Sequence, residues 1–132
     1  MLNGNGSSRP RLTGSILVVE DDADIRSMTL TILEAAGAKV AGAASAAEAI
    51  QCLQRASFDA IVLDWNLAGD TGGALLQQLR DHHPALLRRS AVVTGDLLSI
   101  PGQHEAEHFG CPVIAKPFRP AQLVETMAAI LA

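Results

Sequence analysis

The chain has 132 residues, enough for one domain that buries roughly two-thirds of the surface its unfolded form exposes, and a second core does not fit. Its 48% hydrophobic and 18% charged content exclude a disordered chain, and no apolar stretch approaches the about 18 residues needed to span a membrane. A net charge of −4 without a basic run removes the electrostatic basis for nonspecific nucleic-acid binding, so neither nucleic acid nor membrane is an expected partner.

Residues 1–14 are rich in Gly, Asn, Ser and Pro and lack the apolar centre of a secretory signal, so a disordered leader is expected there and the domain proper over 15–132. Cys52 and Cys111 stand in no metal or redox spacing and are flanked by core-type residues, which predicts buried free thiols and a reducing, cytoplasmic setting. Five short apolar runs predict strands at Ser15–Val19, Ala38–Ala43, Ala60–Asp64, Ala91–Thr94 and Pro112–Ala115. They do not alternate apolar with polar, as fits strands buried on both faces.

Helical patterns lie between them. Ile25, Met28, Ile32, Leu33 and Ala36 mark one face of a first helix, which Gly37 closes with a left-handed cap. Ser45 and Glu48 read as a capping box for a second helix with a stripe of Ala46, Ala49, Ile50 and Leu53. Leu75, Leu76 and Leu79 mark a third. Ser99–Phe109, with poor propensity, is the fourth, and Leu123, Val124, Met127, Ile130 and Leu131 mark the last, with Pro120 in its first turn. Strict alternation of strands and helices predicts an α/β fold with a parallel sheet and helices on both faces.

Four of the strands end in polar groups suited to a phosphoryl group: Glu20 and Asp21, Asp64, Thr94 and Lys116. The carboxyl ends of parallel strands lie side by side, and the crevice outside them is where such folds bind ligands. Any one of these residues has an ordinary explanation. An acid opening a helix caps it, as Asp22 is placed to do, and an acid closing a strand often makes a turn. Such explanations must coincide at four strand ends to account for the set.

Ile16-Leu17-Val18-Val19-Glu20-Asp21-Asp22, Ile61-Val62-Leu63-Asp64-Trp65-Asn66, Val92-Val93-Thr94-Gly95 and Lys116-Pro117-Phe118 resemble, in order, the strand ends of bacterial response-regulator receiver domains. The resemblance covers Ser15 to Ala132. It implies a flavodoxin-like three-layer sandwich with strand order 2-1-3-4-5, and a phosphorelay role in which a histidine kinase or histidine phosphotransfer protein donates a phosphoryl group to Asp64. Glu20, Asp21, Asp64 and the backbone carbonyl of Asn66 are the implied ligands of Mg²⁺, and Lys116 and Thr94 the implied contacts of the phosphoryl oxygens. The chemistry is consistent: a carboxylate is a weak nucleophile toward an anionic phosphoryl group and needs a cation between them. Carboxylates about 4 Å apart repel by roughly 4 kcal/mol per pair at an effective dielectric near 20, and hard oxygen ligands favour Mg²⁺.

The resemblance also implies a cis bond before Pro117, and catalysis limited to the chain's own phosphorylation and dephosphorylation, which is not an enzyme acting on a separate substrate. A homodimer through the fourth helix, fifth strand and last helix is a further implied partner, either in a stand-alone regulator or in a receiver of a larger protein. Two positions depart from the family's usual residues. Ala68 replaces a common proline, and Val113, three residues before Lys116, replaces an aromatic or histidine.

Two other chemistries are weighed. His104-Glu105-Ala106-Glu107-His108 matches the H-E-x-x-H zinc-protease pattern, but Gly110 and Pro112 end any such helix at once. A haloacid-dehalogenase-like phosphatase also uses an aspartate nucleophile, but its second acid, two residues on, is here Asn66.

Overall fold

Parallel pairing builds the sheet from the middle outward. The computed structural model describes residues 11–67, 70–95 and 109–132, where β1 (Ser15–Val19) pairs with β2 (Lys39–Ala43) on one side and β3 (Ala60–Asp64) on the other. Beyond β3 come β6 (Ser90–Thr94) and β7 (Val113–Ala115), also parallel, giving the order β2-β1-β3-β6-β7. A two-residue antiparallel hairpin of β4 (Asn66–Leu67) and β5 (Asp70–Thr71) stands apart from it. Counted over the main sheet alone, the order is the expected 2-1-3-4-5.

Alternation along each strand divides the core in two, because successive side chains point to opposite faces. Leu17, Val19, Ile61, Leu63 and Val92 pack on α2 (Ala46–Arg55), α3 (Gly72–His82) and α4 (Pro84–Leu87). Ile16, Val18, Val62, Val93 and Ile114 pack on α1 (Ala23–Ala35) and α5 (Pro120–Leu131). The inner strands β1, β3 and β6 are buried on both faces, which is why they read as unbroken apolar runs, while β2 is partly exposed.

The caps form where the sequence predicts, with the Ser45 half of the expected capping box observed. Asp22 accepts from the amides of Asp24 and Ile25 ahead of α1, and Ser45 from that of Glu48 ahead of α2. Gly37 adopts φ +115° after α1, where a β-carbon would meet the Leu12 carbonyl oxygen at 2.7 Å. The predicted stripes of α2, α3 and α5 all face the core.

Several expectations need correction. The fully buried residues of α1 are Thr29 and Leu33, while Met28 is 46% exposed. Thr29 is tolerated inside because its hydroxyl donates to the Ile25 carbonyl oxygen at 2.7 Å. Cys111 is buried, but Cys52 is only partly so. Leu12, at 2% exposure, is part of the core and its amide donates to the Ala36 carbonyl at 2.8 Å, so packed structure begins ahead of the Ser15 boundary. After Asp64 the chain forms the hairpin and, from Gly72, the start of α3. The His83 amide donates to Leu79, and its carbonyl accepts from Leu86 and Leu87 to open α4.

The predicted fourth helix, the H-E-x-x-H pattern at His104 and His108, and Ala68 lie outside the described residues. No helix among the described residues is long and apolar enough to cross a membrane.

Candidate phosphoacceptor site

Register brings the site together. Val19 is level with Leu63, so Glu20 and Asp64 are the next residues on adjacent strands, and Thr94 follows Val93, the partner of Asp64 on β6. Thr94 is in turn level with Ala115, one residue before Lys116. Four stretches of sequence therefore deliver their polar groups to one edge of the sheet.

The three acids converge as expected. Ligand oxygens of Glu20, Asp21 and Asp64 all lie within 4.8 Å of one another, with Glu20 and Asp64 buried and Asp21 exposed. Lys116 closes the group: its Nζ donates to Glu20 Oε1 at 2.7 Å and to Asp64 Oδ2 at 3.1 Å. Burial alone would lower the Lys116 pKa, but its bonds to Glu20 and Asp64 outweigh that and hold the ammonium above its ordinary value. At Glu20 burial wins. Burial, followed by the proximity of Asp64, raises its carboxyl to about 7 although Lys116 opposes the shift. A buried acid beside a second acid and open to a third is a site that a divalent cation would relieve.

The donor set also fits a hard cation: three carboxylates, one of them exposed to solvent. The Lys116–Pro117 peptide is cis, as the resemblance implies. Asn66, expected to offer its carbonyl, has its amide within 3.2 Å of Asp64 Oδ1, which fixes the direction in which the chain leaves the acid. The buried Thr94 receives the Lys116 amide on its carbonyl oxygen at 2.8 Å, tying the β6 and β7 ends together.

Two further residues frame the site without being among its predicted members. Gly72 donates its amide to the Trp65 carbonyl at 2.7 Å, and a β-carbon there would lie 2.9 Å from both the Asp64 carbonyl oxygen and the Trp65 Cα. Only glycine lets α3 start this close to the exit of β3. Arg26 donates from Nη1 to the Glu20 carbonyl oxygen at 2.9 Å. The available signal was its position four residues after the helix-capping Asp22, one helical turn from the acid-bearing turn.

The five-stranded sheet and the acids at its carboxyl edge define a class, and the model of the response regulator receiver domain family matches residues 16–128, so the chain belongs to that family. It is similar to the phosphate regulon transcriptional regulatory protein PhoB of Klebsiella pneumoniae, 34% identical over 121 residues that cover 88% of this chain and 51% of that protein. The sensory/regulatory protein RpfC of Xanthomonas campestris pv. campestris is 30% identical over 127 residues, 91% of this chain and 17% of that protein. A CheY-like receiver domain protein from Methanospirillum hungatei has a similar structure, with a TM-score of 0.82 at 29% identity over 91% of this chain and 94% of that one. The chain spans about half the length of the PhoB relatives it matches. Receiver domains interact with histidine kinases or phosphotransfer proteins and generally bind Mg²⁺.

Proposed function

We propose that this chain accepts a phosphoryl group on Asp64 from a phosphohistidine of a histidine kinase or histidine phosphotransfer protein, in the cytoplasm, and loses it by hydrolysis. The observation that carries this reading is the grouping of Glu20, Asp21 and Asp64 within 4.8 Å, with the Lys116 ammonium bonded to two of them.

An Asp64 carboxylate oxygen forms a bond to phosphorus as the N–P bond of the donor imidazole breaks, and the electron pair returns to the imidazole nitrogen. Water later attacks the same phosphorus, the carboxylate leaves, and inorganic phosphate is released. Lys116 is held where it meets the incoming oxygens as a point charge, and the Thr94 hydroxyl donates to one of them. Glu20, Asp21, Asp64 and the Asn66 carbonyl would hold Mg²⁺, which when bound supplies charge neutralisation between carboxylate and phosphoryl oxygens.

The chain promotes only its own phosphorylation and dephosphorylation. Output follows from a change of surface, which in a homodimer would run through the 99–109 segment, β7 and α5. Val113 is only partly buried, is β-branched with one stiff χ angle, and lacks the polar tip of a tyrosine, so coupling to that surface runs through the Gly95 loop.

The test is labelling with a small acyl-phosphate donor such as acetyl phosphate, with and without Mg²⁺. Wild-type protein is expected to be labelled only with the ion, and Asp64→Asn to remain unlabelled. Labelling that ignores both the ion and the substitution would overturn the reading.

A further inference from the structure

Arg26 is a half-buried cation that the phosphoryl chemistry above does not use. Its place is specific. It lies in the second turn of α1, where its amide donates to the Asp22 carbonyl at 2.8 Å, and its guanidinium reaches back over that turn to the Glu20 carbonyl oxygen at 2.9 Å. The path is open because β2 carries glycine beneath it. A β-carbon on Gly42 would stand 3.3 Å from Arg26 Cδ, 3.5 Å from its Cγ and 3.1 Å from Leu30 Cδ1.

The segment Arg26 holds is the one that presents two of the three acids. At Glu20 the main chain leaves the sheet, its amide still bonded to the Ala43 carbonyl at 3.0 Å. Its side chain is shared between Lys116 and, through Oε2 at 3.2 Å, the Asp22 amide. The guanidinium completes this frame by satisfying the Glu20 carbonyl. We infer that Arg26 is a positioning residue of the divalent-cation site, fixing the turn on which Glu20 and Asp21 face Asp64, and that Gly42 is the notch that admits it.

The inference rests on the proposed reading of the acids as a cation site, and it has a sign that separates it from the simplest electrostatic account. A guanidinium near a cation site repels the ion, so if Arg26 acted only by its charge, removing it would tighten binding. As a positioning group its removal weakens binding, and loss of a partner that orients metal ligands costs typically tenfold or more in affinity.

The experiment is a Mg²⁺ titration by calorimetry, with the fluorescence of Trp65, the one tryptophan and the neighbour of Asp64, as a second readout. It compares wild type, Asp21→Asn, Arg26→Met, Arg26→Lys and Gly42→Val, with thermal melts of the metal-free proteins alongside. Saturable wild-type binding that Asp21→Asn weakens or removes is the expected baseline, with Arg26→Met about tenfold weaker and Arg26→Lys in between. Gly42→Val, which keeps the arginine and displaces its stem, weakens binding in the same direction. Arg26→Met binding as tightly as wild type, or more tightly, overturns the inference and leaves the cation site standing. If Arg26→Met does not fold, Gly42→Val decides, and unchanged affinity there overturns it. Wild-type protein that binds no Mg²⁺ overturns the site and this inference together.

Discussion

Strand β3 has an aspartate at each end, and the two are treated oppositely. Ahead of it, Asp59 is exposed and accepts from the Ser15 amide at 2.8 Å and the Ser15 hydroxyl at 3.3 Å, latching the start of β1 to the start of β3. Its carboxylate sits so close to Gly14 that a β-carbon there would lie 2.6 Å from Oδ2. At the other end Asp64 is buried beside the buried Glu20 and the exposed Asp21, and shares a single lysine with Glu20. The amino end of the sheet satisfies its acid with neutral donors, which holds strands together. The carboxyl end concentrates like charges, which opposes folding and favours binding a cation.

The largest expected effect is on the chemistry of the carboxyl end. Lys116→Met should slow labelling by acetyl phosphate about 100-fold, a loss of about 2.7 kcal/mol of transition-state stabilisation, while circular dichroism still reports the native fold. A rate within twofold of wild type would detach the lysine from the reaction.

The next concerns the amino end, where Cys111 lies buried just before β7. Burial pushes its thiol from the ordinary 9.0 up to about 11. Between those values the unfolded chain has lost the proton that the folded chain keeps, so stability from this group is complete below pH 9 and falls as pH rises toward 11, by about 2–3 kcal/mol in all. Urea titrations at pH 8 and pH 10.5 should show a fall that is steeper for wild type than for Cys111→Ala. Equal falls would contradict it.

Asp59→Ala should cost about 1 kcal/mol of stability through the lost Ser15 bonds and leave labelling of Asp64 unchanged, which urea titration and the phosphorylation assay check together. Slowed labelling would mean that the two ends are coupled. Smallest is Asp21→Asn, which removes a like charge from an exposed position. In chelator the variant should be more stable than wild type by about 0.5–1 kcal/mol, and added Mg²⁺ should reverse the order. A metal-free loss of stability would contradict the account of mutual repulsion.

What the sequence disclosed follows the same division. Glu20, Asp64, Thr94 and Lys116 were legible because each ends an apolar run, and parallel register turns strand ends into neighbours without any knowledge of side-chain contacts. Asp22, Ser45 and Gly37 were legible because caps are local chemistry. The face of α1 was not, since Ile25, Met28, Ile32 and Leu33 wrap around more of the helix than one sheet can cover, and only packing selects Leu33 over Met28. Thr29 enters the core through a hydroxyl bond to its own helix, which apolar periodicity does not register. Leu12 was hidden by its polar neighbours. Gly72 and Arg26 act through close approach and a main-chain carbonyl, which a pattern of residue types registers only as a turn glycine and a position one helical turn past a cap.

The central claim is that the acid at the carboxyl end of β3 takes the phosphoryl group and the acid ahead of its amino end does not. The direct measurement is to phosphorylate the protein in Mg²⁺, trap the acyl phosphate by borohydride reduction, and locate the reduced residue by peptide mass spectrometry. The account predicts modification at Asp64, with none at Asp59, Glu20 or Asp21. A phosphoryl group found on a histidine, a serine or any other carboxylate would contradict it.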